Sequence, residues 1–146
     1  MSTRAKGSAR PLVLAIATVI VVAAGCSSES EPAPVCTQAV DARTCALSYA
    51  PSFKEIFERT LKPSCGLGGA ACHTARGRQG GLVFEEEEEA YRGLLDGRAR
   101  PGDPSCSLVL VRVAATDPAV RMPPGRSLGD EEQCAIARWI ADGAKR

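Results

Sequence analysis

The chain is short of several residues that common metal and nucleic-acid sites require. It has one histidine, His73, and one methionine besides the initiator, Met122, in 146 residues. A blue-copper centre uses two imidazoles with its thiolate, so a single histidine excludes it. A basic surplus is also missing. The 18 Lys and Arg are matched by 17 Asp and Glu, which gives no electrostatic footprint for nucleic acid. Apolar runs are short. The longest, Pro11 to Ala24, falls below the roughly 20 residues that cross a bilayer comfortably.

That run nevertheless has a role. Arg4, Lys6 and Arg10 precede it, and Ala23-Ala24-Gly25 follow, ahead of Cys26. A basic head, an apolar stretch and small residues at a cleavage point make a secretory signal over residues 1–25. Small residues immediately before a cysteine resemble a bacterial lipobox, with Cys26 as the lipidated first residue of the mature chain. An uncleaved anchor is the alternative. Either reading puts the domain on the periplasmic side of a bacterial cell envelope, held to a membrane. Cleavage would remove three basic residues and turn the formal charge of +1 into −2.

Residues 26–50 form the next segment. Ser27 to Pro34 is Ser, Glu and Pro with little to bury, a flexible tether. Cys36 and Cys45 bracket a short stretch and are expected to staple each other, although spacing does not fix pairings. Six cysteines follow Cys26, and an oxidising envelope disfavours free thiols. Cys106 and Cys134 read as structural, a staple between the last two helices.

Residues 51–146 carry an all-α pattern of about four helices without convincing strands or repeats. The first starts at Ser52, which forms a capping box with Glu55. Phe53, Ile56, Phe57 and Leu61 make its apolar face, and Pro63 is expected to stop it. The second opens on Glu85 to Glu89, runs through Tyr91 and Leu94-Leu95, and ends at Asp96-Gly97. The acidic run is either a solvated helix start or a docking patch for a basic partner. The third takes Asp103 as N-cap with Pro104 at its first position, then Leu108 to Val113. The last spans Asp130 to Asp142 and closes on Gly143, with Ile136, Trp139 and Ile140 on one face.

Between the first two helices lies Cys65-Gly66-Leu67-Gly68-Gly69-Ala70-Ala71-Cys72-His73. A cysteine directly followed by the only histidine is where a c-type haem would be attached, with neutral imidazole as one axial ligand and a thioether as the other. Met122, on the loop Met122-Pro123-Pro124-Gly125, is the one thioether that could serve. The interval is C-x6-C-H, where haem attachment normally reads C-x2-C-H. Cys65 has three possible fates. The glycines could let the loop bulge so that it forms a second thioether; Cys72 could be the sole attachment; or Cys65 and Cys72 could form a disulfide. A loop histidine without a ligand role and an ordinary packing methionine are the plainer readings of His73 and Met122.

The order of these parts resembles the small c-type cytochrome domains of bacterial envelope lipoproteins. It runs from an aromatic-bearing helix into Cys-His, then Gly80-Gly81-Leu82, an Ala-Tyr helix, Met-Pro-Pro-Gly, and a last helix ending Trp-Ile-x-x-Gly-Ala. The resemblance covers Ser52 to Ala144. It implies one haem c, with Cys72 as a thioether attachment, His73 and Met122 as iron ligands, and Gly80 and Gly81 passing close to the ring. It also implies that Trp139 packs on the first helix near the haem edge. The expected function is one-electron transfer to a redox partner protein in the envelope, without enzymatic activity. The alternative is a haem-free, disulfide-stapled structural or interaction lipoprotein with the same shell. A zinc site on Cys65, Cys72 and His73 with Cys45 is disfavoured by the oxidising compartment. A thiol catalyst lacks a base and orienter arranged around Cys72. A haem peroxidase needs an open distal side, which Met122 would fill.

Overall fold

The computed structural model describes residues 36–67 and 72–146. The signal segment, Cys26 and the tether lie outside the described residues, as do residues 68–71. The described part is all-α, with four helices and no strand among the described residues. These are α1 (Phe53–Ile56), α2 (Glu87–Leu95), α3 (Leu108–Val113) and α4 (Asp130–Ala141).

Helix α1 starts where its cap predicts. Ser52 is extended, and its Oγ accepts from the Glu55 amide at 3.3 Å. The Glu55 carboxylate does not return to the cap; it pairs with Arg59 at 2.6 Å. The four expected apolar residues, Phe53, Ile56, Phe57 and Leu61, are all buried.

Pro63 does not end this helix. After one α-turn the chain continues as a π-helix over Phe57–Gly66, with Pro63 inside it. In an α-helix the proline ring strikes the carbonyl four residues back. The wider π register bonds five residues back, as Leu67 N–H does to the Lys62 carbonyl at 2.8 Å, and so carries the helix on to Cys65. π-helical turns are rare and are frequently found at functional sites.

Helix α2 begins at Glu87, two residues later than the glutamate run suggests. The run is only partly a solvated helix start. Glu85 accepts from the Ala75 amide at 2.6 Å, and Glu89 pairs with Arg78 at 3.1 Å. Both tie the helix entrance to the loop that follows His73. Helix α3 also starts later than expected, with Ser107 as N-cap. Asp103 caps a separate turn by accepting from the Cys106 amide at 3.1 Å.

The core gathers where α1, α2 and α4 meet. Phe53 is fully buried. Its ring lies 5.0 Å from Tyr91 and 5.2 Å from Trp139, distances at which aromatic pairs attract beyond simple area burial. Trp139 Nε1 donates to the Lys145 carbonyl at 2.6 Å, and Tyr91 donates to the Ala144 carbonyl at 3.2 Å, so the C-terminus closes over this cluster. Thr60 is a buried polar exception. It shares a 2.5 Å hydrogen bond with Tyr49 and donates to Glu132 at 3.4 Å, joining the lead-in segment, the π-helix and α4.

The disulfide pairings differ from both expected pairs. Cys36 is bonded to Cys106, and Cys45 to Cys134; neither Cys36–Cys45 nor Cys106–Cys134 forms. The lead-in segment runs across the ends of α3 and α4. Thr37 N–H bonds the Ser105 carbonyl at 2.8 Å, and Arg138 donates to the Arg43 carbonyl at 3.3 Å. Each lead-in cysteine therefore faces a helix-proximal partner, with Cα–Cα distances of 4.3 and 5.7 Å. Sequence spacing carries no trace of that crossing.

Candidate functional site

Cys65, Cys72, His73 and Met122 line one small cavity of about 100 Å³ together with Ser64, Pro123 and Pro124. Three separate stretches build it. The end of the π-helix brings Ser64 and Cys65, the loop before α2 brings Cys72 and His73, and the loop before α4 brings Met122 and the two prolines.

The π-helix end is set by Gly66. A Cβ there would stand 2.4 Å from the Phe84 carbonyl oxygen, so only glycine lets the helix lie on the backbone beyond His73. Gly66, expected in a bulging loop, is the last residue of the π-helix. Its work is close packing inside the helix.

The Cys72-His73 loop is closed by backbone bonds. Gln79 N–H donates to the Cys72 carbonyl at 2.8 Å, and Phe84 N–H to the His73 carbonyl at 2.7 Å. The His73 ring is half-buried and tilted against the buried Phe84 ring, with centroids 5.1 Å apart. Burial holds the imidazole below its ordinary pKa, against the opposite pull of the Gln79 and Leu82 carbonyls. The ring is therefore neutral near pH 7, as a metal ligand must be. Its Nδ1 is buried and has no hydrogen-bond partner among the described residues.

On the facing wall, Met122 N–H donates to the Arg112 carbonyl at 2.9 Å. Its half-buried side chain packs against the core. Cys65 and Cys72 are both free thiols. Burial pushes the Cys65 thiol up to about 11, with Arg126 pulling the other way.

The expected residues do not all converge. Trp139 packs on Phe53 of the first helix, as expected, but does not line the cavity. Gly80 and Gly81 are exposed on the turn after His73 and stay off the cavity wall too. Cys45 is held in its disulfide, and no cluster of three His, Cys, Asp or Glu side chains suited to a metal ion occurs among the described residues. Both facts remove the zinc alternative built on Cys45. A larger cavity of about 880 Å³ lies at the lead-in segment, between Asp41, Arg43, Ser105 and Arg138, and contains none of the expected site residues.

The converging donors fit a covalently held haem in type: a neutral imidazole with an unpaired nitrogen, a thioether and two free thiols. Pockets that bind cofactor-sized groups usually exceed roughly 300 Å³. The cavity as it stands is smaller than that.

Residues 70–125 match the family model of the Planctomycete cytochrome C. The matched segment opens two residues before Cys72 and closes on Gly125, just after Met122-Pro123-Pro124. The chain matches no curated protein and no solved structure. Over those residues, which hold both expected iron ligands and five of the seven residues around the cavity, all but Ser64 and Cys65, the chain is similar to a cytochrome c domain.

Proposed function

We propose that the protein is an envelope-anchored, c-type cytochrome-like lipoprotein that binds one haem and passes single electrons to a redox partner, with no enzymatic activity of its own. The observation that carries this reading is the convergence of Cys72, His73 and Met122 on one cavity within the matched segment. His73 and Met122 would hold the iron, and Cys72, with Cys65 beside it, would hold the porphyrin through thioethers. The haem supplies one-electron oxidation and reduction of iron. The chain's own residues orient and shield it. Phe84 backs the imidazole, and the stiff Met122-Pro123-Pro124 loop faces it. Lipidation at Cys26 would keep the domain at the membrane surface, where a membrane-bound or periplasmic partner can reach it.

The second reading is a haem-free interaction lipoprotein, favoured by the small cavity and the two disulfides. Visible absorption and intact mass after co-expression with a haem-maturation system separate the two. A coloured product heavier by one covalent haem is expected; a colourless one of bare polypeptide mass would sink the cytochrome reading. In the coloured protein, Met122→Ala should abolish the thioether-to-iron band. Cys65→Ser should show whether Cys72 alone keeps the haem covalent.

A further inference from the structure

The turn that follows His73 is gripped by a side chain to which the haem reading gives no role. Gln79–Gly81 form a short 3-10 turn, with Gly80 and Gly81 at φ +60° and +73°. Arg98 Nη2 donates to the Gly80 carbonyl at 2.6 Å. The same guanidinium donates through Nη1 to the Asp96 carbonyl at 2.8 Å and the Gly93 carbonyl at 3.2 Å. Those two carbonyls belong to the C-terminal end of α2, where a helix leaves acceptors without internal donors. One planar fork thus caps a helix and holds a turn 18 residues earlier in sequence. A lysine head, a single compact donor centre, does not span such a set.

The base of Arg98 is fixed as well. Gly97 at φ +78° folds the chain back after the helix. Arg98 N–H bonds the Leu94 carbonyl at 3.0 Å, and its own carbonyl accepts from Val109 at 3.0 Å, so the residue is locked between α2 and α3. The side chain is 24% exposed. Its ion partner, the Asp96 carboxylate at 3.6 Å, is 90% exposed, and such pairs contribute little. The carbonyl contacts are what hold the guanidinium.

From the turn the constraint passes to His73. Gln79 N–H holds the Cys72 carbonyl and Phe84 N–H holds the His73 carbonyl, one on each side of the gripped turn. Leu82 seats against α2 at Gly93, where a Cβ would come within 3.0 Å of Leu82 Cδ2. We propose that Arg98 is a positioning residue for His73: by pinning the Gly80 carbonyl to the end of α2, it fixes where the closed loop carries the imidazole. The relevance to iron rests on the proposed haem function. The pinning itself is a property of the haem-free chain.

The full chain carrying Arg98→Ala, Arg98→Lys or Asp96→Ala tests this by amide hydrogen exchange without haem. A second arm records the reduction potential and the thioether-to-iron band after haem maturation. Arg98→Ala should speed exchange at the Gln79 and Phe84 amides on the order of tenfold, about what one lost hydrogen bond allows. Asp96→Ala, which removes the carboxylate but no grip on the turn, should leave both amides as in the parent. In the haem-loaded protein, Arg98→Ala should weaken the band and lower the potential, because a loop released at Gly80 no longer holds His73 in one place. Parent-like exchange at Gln79 and Phe84 in Arg98→Ala, or an equal rise in Asp96→Ala, would overturn the proposal. Should Arg98→Ala not fold, Arg98→Lys decides. One ammonium serves either Gly80 or the helix end, so exchange should rise at Gln79 or at Gly97, and parent-like exchange at both overturns the proposal. Faster exchange in a chain that never takes up haem leaves the positioning role standing and removes the cytochrome reading alone.

Discussion

Arg126 reaches back 62 residues to donate a 2.7 Å hydrogen bond from Nη2 to Ser64 Oγ. Ser64 stands beside Cys65 on the π-helix, and Arg126 follows the Met122-Pro123-Pro124 loop, so this bond joins two walls of the candidate cavity. It is solvent-exposed, and Arg126→Ala should cost no more than about 1 kcal/mol in urea unfolding. The local effect should be larger than the global one. In haem-loaded protein the thioether-to-iron band of Arg126→Ala should melt several degrees below global unfolding. Equal shifts in both transitions would show that the bond does not hold the Met122 loop.

Gly66→Ala should damage the site from the other side. The new methyl would press on the Phe84 carbonyl, which is backbone and cannot swing aside. Overpacking of this kind costs about 1–3 kcal/mol. Because Phe84 N–H bonds the His73 carbonyl, the ring resonances of the sole histidine should also shift in proton NMR. A stable variant with unmoved His73 resonances would show that the contact yields without cost.

Alkaline pH should weaken the haem-free protein through Cys65. Its thiol is raised from 9.0 to about 11 by burial, so the folded chain holds that proton more tightly than the unfolded chain. The stabilisation is complete below pH 9 and is lost as pH rises toward 11. Between those values the thermal midpoint should fall further for the parent than for Cys65→Ser, which has no thiol to ionise at this position. Parallel curves would indicate that Cys65 is more open to water than its surroundings suggest.

Breaking either disulfide should be costly. The bonds close loops of 70 and 89 residues, and loss of a native bridge from a small secreted domain costs about 2–5 kcal/mol. Cys36→Ala and Cys45→Ala should each lower denaturant stability in that range. A non-reducing digest should yield peptides joining Cys36 to Cys106 and Cys45 to Cys134. A Cys36–Cys45 peptide would contradict the crossing of the lead-in segment.

Local signals in the sequence located the helices well. The Ser52 cap, the apolar face from Phe53 to Leu61 and the closing Gly143 all act over a few residues, and short-range chemistry determines them. Cys72-His73 and Met122 stood out in the sequence because His73 is the only histidine and Met122 the only methionine besides the initiator, and the fold brings them to one cavity. The misjudged features depend on distance or on register. Pro63 stops an α-helix but lies inside a π-helix here, a register that the local sequence does not signal. The pairing of Cys36 with Cys106 depends on where the lead-in segment crosses the helix ends. The roles of Arg98 and Thr60 were hidden because their partners, Gly80 and Tyr49, are unremarkable in composition and are brought near only by the completed fold.

The crossed disulfides also determine how the domain would bear mechanical load. A pull on the chain ahead of Cys36 passes through sulfur to Cys106, or along nine residues to Cys45 and then to Cys134. Both routes lead to the C-terminal helix without entering residues 46–105. That bypassed span contains Cys65, Cys72, His73 and Arg98, so tension between the two ends of the chain leaves the imidazole wall of the cavity covalently slack.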